Sequence, residues 1–324
     1  MPIPPPTSDD PSRDTFLANL RLNGYKNIEP ALIDELLAHP LAPYVQAGVH
    51  GVINATTPAL IALLVKTYER RRRVSLDTQT PDKSLATIIA SLSALHQKLP
   101  DLYMAAATDP SDTMLTTMGL IALEEMKHPK TAAMARRLLN DPREFVRSTA
   151  ASIVARVAPA SAYDDLIVQL KKPKLDEATI VSTISALLAT GKNDAANIAY
   201  TFLVKKPDQM KLKCAFDLAI RRPIGAGALL VKLYQSIKSE SPRLSMLDAM
   251  GTLGDSDAHA CMLEVLRQGS TAEATSVIDR LAGYEPRPGW HDELRAAARQ
   301  RGDTALQARI EDRITAARKR DEMR

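Results

Sequence analysis

Six histidines are the side chains best suited to chemistry in this sequence, and their spacing argues against a shared site. His39, His50, His96, His128, His259 and His291 are scattered along the chain. None is followed by glutamate and no two lie four residues apart. No helix turn therefore presents a pair of metal ligands or a ligand beside a general base. Cys214 and Cys261 sit among helix formers and read as small apolar core side chains; two cysteines make no disulfide framework. The acidic pairs Glu124-Glu125 and Asp164-Asp165 are adjacent, and adjacent helical residues point apart, which suits neither pair to acid–base work. Gly225-Ala226-Gly227 lacks the third glycine of a phosphate loop and reads as a turn. Arg301-Gly302-Asp303 reads as a helix end followed by a cap. From these patterns we expect no catalytic residue, no cofactor and no metal.

The chemistry left is positive charge. The whole chain sets 42 Lys and Arg against 38 Asp and Glu, a net of +4. Residues 127–222 carry 17 basic and 9 acidic side chains, whereas residues 1–126 are net acidic and 223–324 balance. Two pieces of this central block share a register, Lys171-Lys172-Pro173 and Lys205-Lys206-Pro207. Lys174, Lys211 and Lys213 lie close by in sequence, Arg136, Arg137 and Arg143 precede them, and Arg221-Arg222 follow. A patch of this sign attracts an acidic protein or a phosphate backbone. The same lysines also suit helix C-termini, whose unpaired carbonyls favour cations. Arg70-Arg71-Arg72-Arg73 reads as a solvated helix end for the same reason.

Helices are the elements expected to hold these charges. Aromatics are only 4% of the 324 residues, and the apolar set is dominated by Ala, Leu and Met, which favour helix over strand. Proline recurs at Pro110, Pro142, Pro173, Pro207 and Pro242, 31 to 35 residues apart. Each follows one apolar pattern with helical spacing and precedes another; after Pro173 come Ile180, Ile184, Leu187 and Leu188 and, past the break at Gly191, Ile198, Phe202 and Leu203. Proline is tolerated in a first helical turn, so each is expected to mark the start of a helical hairpin. Gly191 and Gly254 suit left-handed helix ends.

Asp141-Pro142 with Val146-Arg147 and Ala150-Ala151 resembles the first helix of a HEAT repeat. Met250-Gly251 through Leu253-Gly254-Asp255, followed by Met262-Leu263 and Leu266, resembles the turn and second helix of the same repeat. The resemblance covers roughly residues 100–270. It implies an all-α fold, a right-handed α-solenoid of HEAT-like (armadillo-type) helical hairpins, with Arg147 packed between units. Neighbouring hairpins would stack roughly 8–10 Å apart, lining up the two Lys-Lys-Pro turns on one edge.

The expected organisation is a disordered Pro-rich tail over 1–14, an N-terminal helical cap region over 15–73, a repeat array over 82–290, and C-terminal capping helices with a basic tail over 291–324. Ser75 to Asp82 is the expected linker, and Leu306, Ile310 and Ile314 are the expected buried stripe of a terminal helix. The N-terminus has no cationic start and no apolar block of a secretory signal, and no apolar run approaches the roughly 18 residues of a membrane span. A cytoplasmic, soluble protein is expected.

The function expected from these features is a non-catalytic protein–protein interaction scaffold or adaptor. Its basic block, 127–222, would contact a protein partner or peptide with an acidic surface, and no membrane, through Arg136, Arg137, Arg143, Lys171, Lys172, Lys174, Lys205, Lys206, Lys211 and Lys213. The alternative is a DNA- or RNA-binding or DNA-repair protein of the HEAT-like class using the same block. That role needs accessible rings, and Phe145, Tyr163, Tyr200, Phe202 and Phe216 are expected mostly in core register.

Overall fold

The computed structural model describes the backbone of residues 11–283 and 288–322, and side chains over 15–283 and 288–320. The expected disordered tail falls outside the described residues as far as residue 10, and a helix begins at Pro11. The stretch Glu285-Pro286-Arg287-Pro288-Gly289 reads in the sequence as a break between helices, and it lies outside the described residues as far as residue 287.

Every regular element among the described residues is a helix. In chain order these are α1 Pro11–Leu22, α2 Pro30–Ala38, α3 Ala42–Ala55, α4 Pro58–Thr78, α5 Ser84–Ala94, α6 Pro100–Ala107, α7 Thr113–Glu125, α8 Thr131–Leu138 and α9 Glu144–Val157. There follow α10 Pro159–Leu170, α11 Glu177–Ala189, α12 Ala195–Leu203, α13 Asp208–Arg221, α14 Ala226–Ser236, α15 Glu240–Leu253, α16 Ser256–Gln268, α17 Thr271–Leu281, α18 Trp290–Arg301 and α19 Thr304–Glu322. No helix among the described residues is long and apolar enough to cross a membrane. The chain divides into two compact units, Met1–Ile153 and Val154–Arg324, and the division falls inside α9.

The period is visible in the helix starts. α7, α9, α11, α13, α15, α17 and α19 begin 31 to 33 residues apart. The prolines mark this period without always sitting in the helix. Pro242 is in the first turn of α15 and Pro207 caps α13, but Pro110, Pro142 and Pro173 lie in the connections ahead of α7, α9 and α11. Aspartates start several helices instead. Asp112 accepts from the Leu115 amide at 3.0 Å, Asp176 from Thr179 at 2.7 Å and Asp255 from Ala258 at 2.9 Å. Each pairs a backbone donor that the first turn leaves open. Proline stops the preceding helix, since it disfavours helical backbone in the residue before it.

In Val154–Arg324, α11, α13, α15, α17 and α19 pack in succession, and α12, α14, α16 and α18 form a second row against them. The stripe Leu306, Ile310 and Ile314 is buried under α19. Burying such a side chain contributes about 1.5–3 kcal/mol. Side chains tie each hairpin to the next at separations of 30 to 36 residues: Ser185 to Asp217, Asp248 to Arg280, Asp279 to Arg309, His259 to Glu293 and Lys213 to Glu177.

A buried polar cluster joins three helices of this unit. Glu273 accepts from the Tyr234 hydroxyl at 2.7 Å, from Arg243 Nε at 2.5 Å and from the Ser270 amide at 2.9 Å. The Glu273 amide in turn donates to the Ser270 hydroxyl oxygen, completing a capping box at the start of α17. Arg243 also lies over the Tyr234 ring, 4.2 Å from its centre. Burial alone would raise the Glu273 pKa, but the Tyr234, Ser270 and Arg243 donors outweigh it and hold the carboxyl down at about 2.

In Met1–Ile153, α3, α5 and α7 pack in succession, and α2 packs on α4. α6 packs closely on α7. A Cβ at Gly119 would stand 2.4 Å from the Ala107 nitrogen and 2.8 Å from the Tyr103 oxygen, so only glycine fits there. α4 runs to Thr78, through the first part of the expected linker, and ends on Gln79 in the left-handed region at φ 52°. The arginine run therefore lies inside a helix rather than at its end. Arg70 donates to the Leu37 oxygen at 3.3 Å, and Arg71 donates to the His39 oxygen at 2.8 Å, the Pro40 oxygen at 3.2 Å and Asp82 at 2.6 Å. These guanidinium groups satisfy carbonyls that the C-terminal end of α2 leaves unpaired. Arg301 does the same for the Gly269 oxygen after α16, at 2.8 Å.

Candidate functional site

The basic residues divide between the two units. Arg136, Arg137 and Arg143 belong to Met1–Ile153, and the lysines to Val154–Arg324. Arg136 and Arg137 close α8, where they favour the negative end of its dipole. Arg137 is exposed and places Nη2 3.0 Å from the Met134 sulfur. Arg143 is held by Asp141 through bonds of 2.8 and 2.9 Å, and this guanidinium keeps the Asp141 carboxyl below the usual range. Arg147 turns back onto its own connection, donating to the Asp141 oxygen at 2.8 Å and the Pro142 oxygen at 2.7 Å.

Lys171-Lys172 and Lys205-Lys206 occupy equivalent connections, from α10 into α11 and from α12 into α13. The next connection, from α14 into α15, carries Lys238, which the sequence reading did not single out because no second lysine or proline adjoins it. α11 packs on α13 and α13 on α15, so the three connections lie along one edge of the unit. Lys171, Lys174, Lys205 and Lys238 are exposed there. Lys174 closes the set in the left-handed region, at φ 59°.

The other lysines are engaged within the unit. Lys172 donates to Gln169, and Lys206 lies 4.7 Å over the Phe202 ring. Lys213 pairs with Glu177 at 3.0 Å across α13 and α11, an exposed contact of little energetic weight. Lys211 is only 5% exposed and pairs with Asp208 at 3.0 Å on its own first turn. A buried ammonium needs such a partner, and it lies beneath the edge rather than on it. The free charge of the edge is thus smaller than the sequence total, and it is concentrated in the connections.

The rings of the basic block depart from the expected core register. Phe145 and Phe216 are 52% and 41% exposed, and Tyr163, Tyr200 and Phe202 are half-buried. Phe145 and Phe216 lie on sides of their helices that the neighbouring helices leave uncovered, and the other three rings are covered in part. Helical spacing identifies a face, but in a two-row unit only part of that face is covered by the adjoining row. Burial and Asp194 together push the Tyr163 hydroxyl up to about 12.

His39 and His259 pack against aromatic rings. His259 stacks on Trp290 at 3.6 Å between ring centres and places Nε2 2.9 Å from Glu293, and His39 packs against Tyr44 at 4.0 Å. Among the described residues no group of three His, Cys, Asp or Glu side chains could hold a metal ion. Cys214 is buried, and Cys261 is partly so.

No family model matches the chain, and no curated protein matches it.

Proposed function

We propose that the protein is a non-catalytic interaction scaffold, a right-handed solenoid of HEAT-like hairpins that binds an acidic protein surface or peptide along the lysine edge of Val154–Arg324. The observation that carries this reading is the recurrence of exposed lysines at three equivalent connections, Lys171, Lys205 and Lys238. The regular 31- to 33-residue period of helix starts supports the repeat architecture. Aligned cations at repeat spacing give a partner cumulative attraction without any single deep contact. A cytoplasmic setting belongs to the same proposal.

Nucleic acid is the second reading, and the exposed Phe145 and Phe216 rings within the basic block favour it. One experiment separates the two. Wild type and a Lys171→Glu, Lys205→Glu, Lys238→Glu variant are titrated with a polyglutamate peptide and with duplex DNA, each at low and moderate salt. The scaffold reading expects salt-sensitive peptide binding that the variant loses, with helicity and melting unchanged because the lysines are exposed. Tight DNA binding lost in the same variant would transfer the edge to nucleic acid. Peptide binding equal in the two proteins would remove the edge as a contact surface.

A further inference from the structure

In Met1–Ile153 the helices α2, α4 and α6 do not form a continuous row. α2 packs on α4, but α4 and α6 stand apart across a cavity of about 590 Å³. The cause is length. α4 has 21 residues and α6 only 8, so the C-terminal half of α4 faces the start of α6 and the Lys98-Leu99 connection instead of a full neighbouring helix. Val65 and Leu76 line one side, and Leu99, Leu102 and Ala105 the other. Leu76 is left 56% exposed. A concave apolar cleft of this volume is the size of an ordinary small-molecule site.

Its polar groups point to the ligand's charge. Arg72, Arg73 and Lys98 border the cleft against Glu69 and Asp101, so the rim is net positive. Arg73 and Lys98 are exposed and make no ion pair among the described residues. Tyr68, 2% exposed, forms part of the wall. Its hydroxyl accepts from Arg72 Nη1 at 2.9 Å, while its own proton has no acceptor among the described residues. Arg72 in turn stands 3.8 Å from Asp109, too far for a close pair. Burial pushes the Tyr68 hydroxyl above its usual pKa, so it remains a donor at neutral pH.

We propose that this cleft binds a medium-chain aliphatic carboxylate, its chain laid against Val65, Leu76, Leu99, Leu102 and Ala105 and its head group met by Arg73, Lys98 and the Tyr68 hydroxyl. The apolar lining takes the chain, and the unpaired cations and spare donor take an anionic acceptor. An uncharged chain would leave both unsatisfied. This site is in a different unit from the lysine edge and stands or falls independently of it.

Calorimetric titration of the full chain with monomeric octanoate, decanoate and dodecanoate tests it. The expected result is saturable binding of one ligand per chain, tightening about fourfold per added methylene until the cleft is filled. Decanol should bind at least tenfold more weakly than decanoate. The double variant Arg73→Glu, Lys98→Glu changes only exposed charges, and should keep its melting temperature while losing decanoate binding at least tenfold. Ala105→Trp, which fills the cleft, should block binding outright. Absence of saturable binding, equal binding of decanol and decanoate, or full binding by the charge-reversed variant would each overturn the proposal. Sedimentation with anionic phosphatidylglycerol vesicles without binding of monomeric decanoate would also overturn it, assigning the cations to a lipid surface.

Discussion

Replacing Glu273 by Gln tests whether the cluster of Tyr234, Arg243 and Ser270 stabilises Val154–Arg324 through charge or through shape. Glutamine keeps the volume and an acceptor oxygen but removes the carboxylate that Arg243 faces at 2.5 Å. The folded carboxyl is held at about 2, against an ordinary value of 4.5. That depression corresponds to about 3 kcal/mol of folding free energy, fully present above pH 4.5. As pH falls, the unfolded chain takes up the proton first, and the contribution drains away down to the folded value near 2. By pH 3 about 2 kcal/mol of it has gone. Urea unfolding followed by circular dichroism should therefore place the variant about 3 kcal/mol below wild type at pH 7 and only about 1 kcal/mol below it at pH 3. A difference that stays the same at both pH values would mean that the carboxylate charge is not what the cluster uses. A difference near zero at pH 7 would mean that desolvation cancels the ion pair altogether.

Two further outcomes follow from packing and burial. Gly119→Ala drives a methyl group against the Ala107 and Tyr103 backbone, which cannot swing aside as a side chain would, and should cost about 1–3 kcal/mol in a thermal melt of the full chain; an unchanged melting temperature would mean that α6 and α7 separate freely. The Cys214 thiol is buried and its pKa is pushed up by burial and by Asp217, so a thiol reagent at pH 8 should label Cys261 alone in the native protein and both cysteines in denaturant; native labelling of Cys214 would show that α13 opens readily.

The repeat could be read from residue order because its signals are local. Apolar positions three and four apart, the recurring prolines and the Gly254-Asp255 turn each act within one hairpin, and α15 and α16 meet where that turn predicts. The roles of the arginine run could not. Arg70 and Arg71 find carbonyls of Leu37 and His39, 32 or 33 residues away, and a backbone acceptor leaves no mark in side-chain spacing. The lysine edge was only partly readable for a related reason. Lys171 and Lys205 announce themselves by doublets next to proline, but Lys238 belongs to the same edge solely through helix packing, and Lys211 leaves it because of which side of α13 turns inward. The α4–α6 cleft carries no motif at all. It arises from the unequal lengths of two helices, and α4 continues past its arginines through a polar stretch that composition alone assigns to a linker.

The ties within Val154–Arg324 each reach a single period along the chain, as Asp248 to Arg280 and Asp279 to Arg309 do. Duplicating or excising one whole period there would hand every surviving helix an equivalent neighbour and disturb only the junction. Changing the chain by half a period would set a first-row helix opposite a second-row one and misalign all the ties beyond. Growth by complete modules is the route by which such a unit can lengthen its lysine edge while keeping each seam intact.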